Sequence, residues 1–233
     1  MRSLFVTGTD TGAGKTVVTA AICVATGARA MKPAQTGSLR PADLEFVWAT
    51  TGWRDDPDVA CPYRSAKALA PGIAFRMDET RVDLDHVHRC FEKLAARGPV
   101  VVEGAGGLLV ELCDGVTMAK LAARLSLPLV VACRPGLGTL NHTALTVEAA
   151  LQREVEVLGI VISGFPREPG AAERTNPAEL CRLAPLLGVI PEIAGLDVDA
   201  GDPGALARVA RSSLAPDLGG TFQPSAFLES LGG

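Results

Sequence analysis

The sequence is poor in aromatic side chains. One Tyr, two Trp and seven Phe amount to 4% of 233 residues. The lone Tyr63 and the two Trp offer no series of ring faces on which single-stranded bases could stack. A surplus of base is missing too: 22 Lys and Arg face 26 Asp and Glu, for a net charge of −4. Nucleic-acid binders concentrate positive charge to neutralise phosphates, so that class is not expected. No apolar run approaches the roughly 18 residues of a membrane helix. Only three apolar residues follow Met1-Arg2-Ser3 before polar ones resume, too few for a secretory signal. Six scattered cysteines show no CxxC spacing, which argues against a zinc site and a disulfide framework. Most are read as small buried hydrophobes. These features predict a cytoplasmic chain that partners neither membrane nor nucleic acid.

Glycine and proline, by contrast, are abundant, with 25 and 16 residues. They make up about 18% of the chain, against a usual figure of about 12%, so many turns and close approaches are expected. Short β-branched runs at 4–7, 28–31, 99–102, 128–132, 157–162 and 188–190 alternate with helical patterns. The helical patterns lie at 15–26, 43–51, 83–96, 116–125 and 139–151. The strands are apolar on both faces, as parallel strands are when helices cover them. The expected fold is therefore α/β and doubly wound, a mostly parallel sheet with helices on both faces. Residues 51–81 read as a Pro-rich excursion over the site. One domain is expected over 1–211, with 212–233 a short final element or tail.

In such folds ligands bind beyond the carboxyl ends of the strands. Gly8-Thr9-Asp10-Thr11-Gly12-Ala13-Gly14-Lys15-Thr16 follows the first strand. A Gly-rich turn entering a helix surrounds a phosphate with backbone N–H groups. Lys15 would reach the β- and γ-phosphates and Thr16 would bind Mg²⁺, making the chain P-loop NTPase-like. Strict spacing would place a glycine where Thr9 stands; Gly8 comes one residue early. Lys32-Pro33-Ala34-Gln35-Thr36-Gly37 follows the second strand and puts Lys32 beside the phosphates. Asp43 opens the next helix, as an N-cap or as a Mg²⁺ ligand. Glu103-Gly104-Ala105-Gly106-Gly107 follows the third strand, where nucleotide hydrolases place a metal-holding carboxylate. After the fourth, Gly138-Thr139 starts a helix whose N-terminus could face an anion, or is a plain turn. His86 and His88 lie two apart in a helical pattern and point in different directions, so they make a poor metal pair.

These segments, with Leu140-Asn141-His142, resemble dethiobiotin synthetase in their order and spacing, from about residue 3 to residue 193. The family's loop carries one extra residue, which accounts for Gly8. The resemblance implies an ATP-dependent ligase of biotin biosynthesis that joins CO₂ or bicarbonate to 7,8-diaminononanoate and closes a ureido ring. It implies that Lys15, Lys32 and Thr16 are catalytic, and that Thr16, Asp43 and Glu103 surround Mg²⁺. The nucleoside triphosphate would contact Gly12, Ala13, Gly14, Val17, Gly104, Ala105, Gly106, Ser163, Gly164, Ile190, Pro191 and Glu192. Thr36 would bind the carbamate or an amine. Gly138, Leu140 and Asn141 would contact substrate across a homodimer interface. Lys32→Ala is expected to abolish turnover and leave the fold intact.

A dimeric switch ATPase is the main rival, but such proteins carry a Lys-Gly-Gly loop where this chain has Asp10-Thr11-Gly12. A glutaminase-bearing synthetase has no room for its extra domain, and a small-molecule kinase lacks its Arg-rich lid. Two departures from the resembled family stand out. Ala70-Pro71-Gly72-Ile73-Ala74 lacks the family's His. Ser163-Gly164-Phe165-Pro166 replaces an Asn-Asp that reads adenine. The second leaves room for nucleotides besides ATP. A panel of nucleoside triphosphates tests this, and strict ATP dependence refutes it.

Overall fold

A computed structural model describes residues 1–196, 198 and 202–232. In chain order the elements begin with β1 (Leu4–Gly8), α1 (Lys15–Thr26), β2 (Arg29–Met31), β3 (Ala34–Thr36) and α2 (Ala42–Thr51). Next come α3 (Pro57–Ala60), β4 (Tyr63–Ser65), α4 (Pro71–Met77), α5 (Leu84–Ala95) and β5 (Val100–Gly107). β6 (Glu111–Cys113), β7 (Val116–Thr117), α6 (Met118–Arg124), β8 (Leu129–Cys133) and α7 (Thr139–Leu151) follow. The chain closes with β9 (Val157–Phe165), α8 (Ala171–Leu180), β10 (Leu186–Pro191), α9 (Pro203–Ser213) and α10 (Pro224–Ser230).

Six strands form one parallel sheet in the order β10-β9-β8-β1-β5-β2. All residues of β1 and β8 are buried, which explains their unbroken apolar character. The chain runs out from β1 to β2, returns through β5, then crosses β1 to reach β8, β9 and β10. The winding reverses at β1, and that reversal opens a crevice at its carboxyl end. Helix α1 is apolar nearly all round because it packs between the sheet and helices α2 and α9. Gly14 starts it at φ 83° and Gly27 ends it at φ 74°, both left-handed, where a side chain would be strained.

Residues 51–81 hold more structure than an excursion. β4 pairs in parallel with β3 (Ala34↔Tyr63, Thr36↔Ser65), which fixes the chain just beyond Lys32. Asp78, beyond α4, accepts from Ser65 and pairs with Lys67. Elements of three to seven residues are too short to show a period. The helix expected from residue 116 begins at Met118, because Val116 and Thr117 pair with Cys113 and Glu111. β5 and β9 run past their apolar stretches, into Gly107 and Phe165. Gly104 is required there, since a Cβ would lie 2.8 Å from the Phe5 ring. Helix α8 escaped the sequence reading because Pro177 sits inside it. Beyond α9, Leu214 and Leu218 are buried, and Phe222 and Phe227 pack in a second cluster around Phe165.

No described helix is long and apolar enough to cross a membrane. All six cysteines are free: Cys23, Cys61, Cys90 and Cys133 are buried, Cys113 and Cys181 partly exposed. Burial pushes the Cys61 thiol up to about 12 and the Cys133 thiol up to about 11. A raised pKa keeps a thiol protonated and unreactive. Native protein in iodoacetamide at about pH 8 is therefore expected to label slowly at Cys113 and Cys181 only, with the other four appearing in denaturant, as read by peptide mass spectrometry.

Candidate active site

The turn from β1 into α1 is built by its own backbone. Thr9 N–H donates to Ala132 O (3.1 Å), Thr11 N–H to Asp10 Oδ1 (2.7 Å) and Ala13 N–H to Asp10 O (3.4 Å). A Cβ on Gly8 would lie 2.8 Å from Asp10 O, so the early glycine is needed by the turn itself. Arg134 Nη2 steadies the outside of the loop through Asp10 Oδ2 at 3.3 Å. Inside it, Lys15 Nζ donates to Asp10 O (3.0 Å) and Thr11 O (3.2 Å). Burial lowers the Lys15 pKa, opposed by Glu103 and reinforced by Lys32. An ammonium held only by carbonyls in that hollow gains from a phosphate oxygen.

Strand register assembles the rest. Met31 of β2 lies opposite Val102 of β5, so Lys32 and Glu103, one step on, come together at the sheet's carboxyl edge. Lys32 Nζ donates to Glu103 Oε1 at 2.7 Å and pairs with Asp43 Oδ2 at 2.5 Å. Asp43 is not the N-cap of α2; Pro41 holds that position, and Asp43 lies in the first turn, where the helix dipole favours an acid. Thr16 Oγ1 donates to the same Glu103 Oε1 at 2.9 Å. Burial alone would lower the Lys32 pKa, but Glu103 and Asp43 outweigh it and keep the ammonium charged. Burial raises the Glu103 carboxyl against the pull of Lys32.

Thr16, Asp43 and Glu103 offer the hard oxygens that Mg²⁺ prefers, and Glu103 Oε2 is buried without a partner. Among the described residues no three His, Cys, Asp or Glu side chains cluster as a closed metal cage. Mg²⁺ needs none: it commonly takes one or two carboxylates together with substrate phosphates and water. The residues fit it.

A cavity of about 420 Å³ opens above this cluster. It brings together Gly12, Gly14, Lys15, Thr16, Val17, Lys32, Thr36, Asp43, Glu103, Ala105 and Gly106, all anticipated from sequence. Thr11 and Gln35 line it as well and were missed; Gln35 stands between two anticipated residues but carries no charge to draw notice. Ala13, in the loop, and Gly104, in β5, are buried and do not line the cavity. Ser163, Gly164 and Glu192 line a second cavity of about 540 Å³ beside Thr9 and Arg134. Ile190 is fully buried and offers no side chain to a ligand, while Pro191 is exposed. Gly138, Leu140 and Asn141 sit exposed at the start of α7 and line neither cavity.

A family model described as an AAA domain matches residues 2–199. An ATP-dependent dethiobiotin synthetase of Anaeromyxobacter sp. (strain K) is 47% identical over 78% of this chain and 86% of its own. That of Frankia casuarinae is 44% identical over 97% and 98%. The chain belongs to the ATP-dependent dethiobiotin synthetase family. It is thus an ATP-dependent ligase. Among solved structures, the MinC:MinD cell division complex of Aquifex aeolicus matches with TM-score 0.58 at 14% identity, covering 96% of this chain and 98% of its own. A ParA family ATPase of Chlorobium tepidum matches with TM-score 0.55 at 12% identity, covering 93% and 96%. These likenesses are of fold: the P-loop sheet is shared, while the sequence relatives are dethiobiotin synthetases.

The burial of the cluster changes one expectation. Lys32→Ala is now expected to cost stability as well as turnover, because it removes the buried cation that Glu103 contacts. A loss of about 3–5 kcal/mol in urea unfolding is expected. Lys32→Met combined with Glu103→Gln, which removes both charges, is expected to recover most of it while staying inactive.

Proposed function

We propose that this dethiobiotin synthetase homologue joins CO₂ to 7,8-diaminononanoate and closes the ureido ring of dethiobiotin, using ATP and Mg²⁺ in biotin biosynthesis. The supporting observation is one cavity at the mouth of a phosphate loop that gathers two lysines, Lys15 and Lys32, with Thr16, Asp43 and Glu103. One substrate amine adds to CO₂, forming a C–N bond and releasing a proton to give a carbamate. A carbamate oxygen attacks the γ-phosphorus, the bond to the bridging oxygen breaks, and ADP leaves. The second amine attacks the carbonyl carbon; the C–O bond breaks, phosphate leaves with its electron pair, and the amine gives up a proton to solvent.

Negative charge grows on oxygen at each stage, so fixed cations dominate the catalysis. Lys15 follows the phosphates, and Lys32 follows the carbamate and the transferred phosphoryl group. Thr36, at the end of β3 on the cavity wall, would offer its hydroxyl to the carbamate. Thr16, Asp43 and Glu103 would hold Mg²⁺, which would supply positive charge to offset that of the triphosphate. Backbone N–H groups from Gly12 to Thr16 and the start of α1 orient the phosphates.

Gly138, Leu140 and Asn141 serve the substrate of a second copy in this reading. Exposed apolar residues surround them: Leu137 is 98% and Leu145 57% exposed. A homodimer covers that patch and completes the site. Free cysteines and family membership support a cytoplasmic enzyme. Ser163 and Gly164 carry no amide side chain, so nucleotides besides ATP are admitted alongside it.

The assay mixes purified protein, MgATP, bicarbonate and 7,8-diaminononanoate. ADP release is expected only when diamine and CO₂ are both present. Release that needs neither refutes the ligase and favours a switch ATPase.

A further inference from the structure

Among the described residues, two that line the phosphate-site cavity carry a buried side-chain oxygen without a partner: Glu103, through Oε2, and Gln35, through Oε1. The Glu103 oxygen is accounted for by the proposed metal. Gln35 has no such account. It is 7% exposed and lies in β3, paired with Arg64 of β4, three residues beyond Lys32. Among the described residues its amide has one partner: Nε2 donates to Thr36 O at 3.1 Å. Because a backbone carbonyl only accepts, the NH₂ end must face it. Oε1 is thereby left as an acceptor with no donor, an arrangement that costs folding free energy unless a ligand supplies the missing hydrogen.

The chemistry of the cavity narrows what that ligand is. Its donors, Lys15, Lys32 and Thr16, suit phosphate and carbamate oxygens. Its carboxylates, Asp43 and Glu103, are engaged by Lys32 and Thr16. The diamine's own donors are N–H groups, and Gln35 Oε1 is a neutral acceptor free to take one. Neutrality matters. The amine that closes the ring attacks only through its lone pair, so it must be uncharged. A carboxylate beside it would favour its ammonium form and raise its pKa by about 1–3 units. An amide oxygen fixes its direction with far less of that bias.

We propose that Gln35 binds the substrate diamine, its Oε1 accepting an N–H from the amine left free after the other has captured CO₂. The proposal deepens the ligase reading and rests on it. It identifies the ligand class at this spot as an uncharged primary amine.

The test is steady-state kinetics of Gln35→Leu and Gln35→Glu, with the diamine varied at saturating MgATP and bicarbonate over a range of pH, beside thermal melts. Gln35→Leu is expected to raise the KM for diamine roughly tenfold, the loss of about one hydrogen bond, and to hold the KM for ATP within about twofold. Its melting point is expected to stay level or rise, because an unpaired buried acceptor has gone. Gln35→Glu is expected to move the acidic limb of the kcat/KM profile for diamine to higher pH by about one unit or more. A wild-type diamine KM in both variants with an unmoved pH profile overturns the assignment. So does a lowered melting point in Gln35→Leu with both KM values changed in parallel, which marks a structural role. Wild-type protein that releases ADP without needing diamine overturns the ligase reading and this assignment together, and that outcome is visible before any substitution is made.

Discussion

The ammonium of Lys32, buried between Glu103 and Asp43, is the constraint around which the site is organised. A lysine this deep persists only with counter-charges in contact, so the trio draws on three separate stretches of chain. β2 delivers the cation, β5 delivers one carboxylate through the register between Met31 and Val102, and the first turn of α2 delivers the other. Thr16 joins from the start of α1. With Lys15 the group balances two positive against two negative charges. A site that must receive a polyanion is thus neutral before it arrives, and its folding does not depend on an uncompensated charge.

This arrangement explains why the sheet order matters. Setting β1 between β5 and β8 leaves the phosphate loop at the reversal point, with Glu103 on one flank and the β8–α7 turn on the other. Fold relatives such as MinD and ParA share that frame at low identity. In this chain the side chains that line the cavity come from short segments after the strands, Lys32 to Thr36 among them. Fold here sets where chemistry happens, and a handful of side chains set which chemistry it is.

Much of this was legible in the sequence, for physical reasons. Helices α1 and α7 begin and end where glycine and periodicity place them, and the buried strands announce themselves as unbroken β-branched runs. The residues lining the cavity could be found because, in such sheets, ligand-facing side chains follow the carboxyl ends of the strands. Other features depend on tertiary contacts that local pattern does not carry. Asp43 reads equally as a cap or a ligand until the structure places the cap at Pro41. β3 and β4 are three residues each, and Pro177 conceals α8. Ile190 follows the expected spacing yet lies in the core. Gln35 escaped because an unpaired buried oxygen is a property of its surroundings.

One close contact has an evolutionary consequence. Gly14 opens α1 against the end of β9, where a Cβ at that glycine would stand 2.3 Å from Ser163 Oγ. The phosphate loop and the strand end are in effect one joint. A larger residue at 163 has no room on the side facing the loop, and a side chain at 14 has none facing the strand. Drift at either position is therefore restrained by the other. A longer side chain at 163 is thus confined to the few rotamers that point away from the loop, and a glycine at 14 is the condition for any of them.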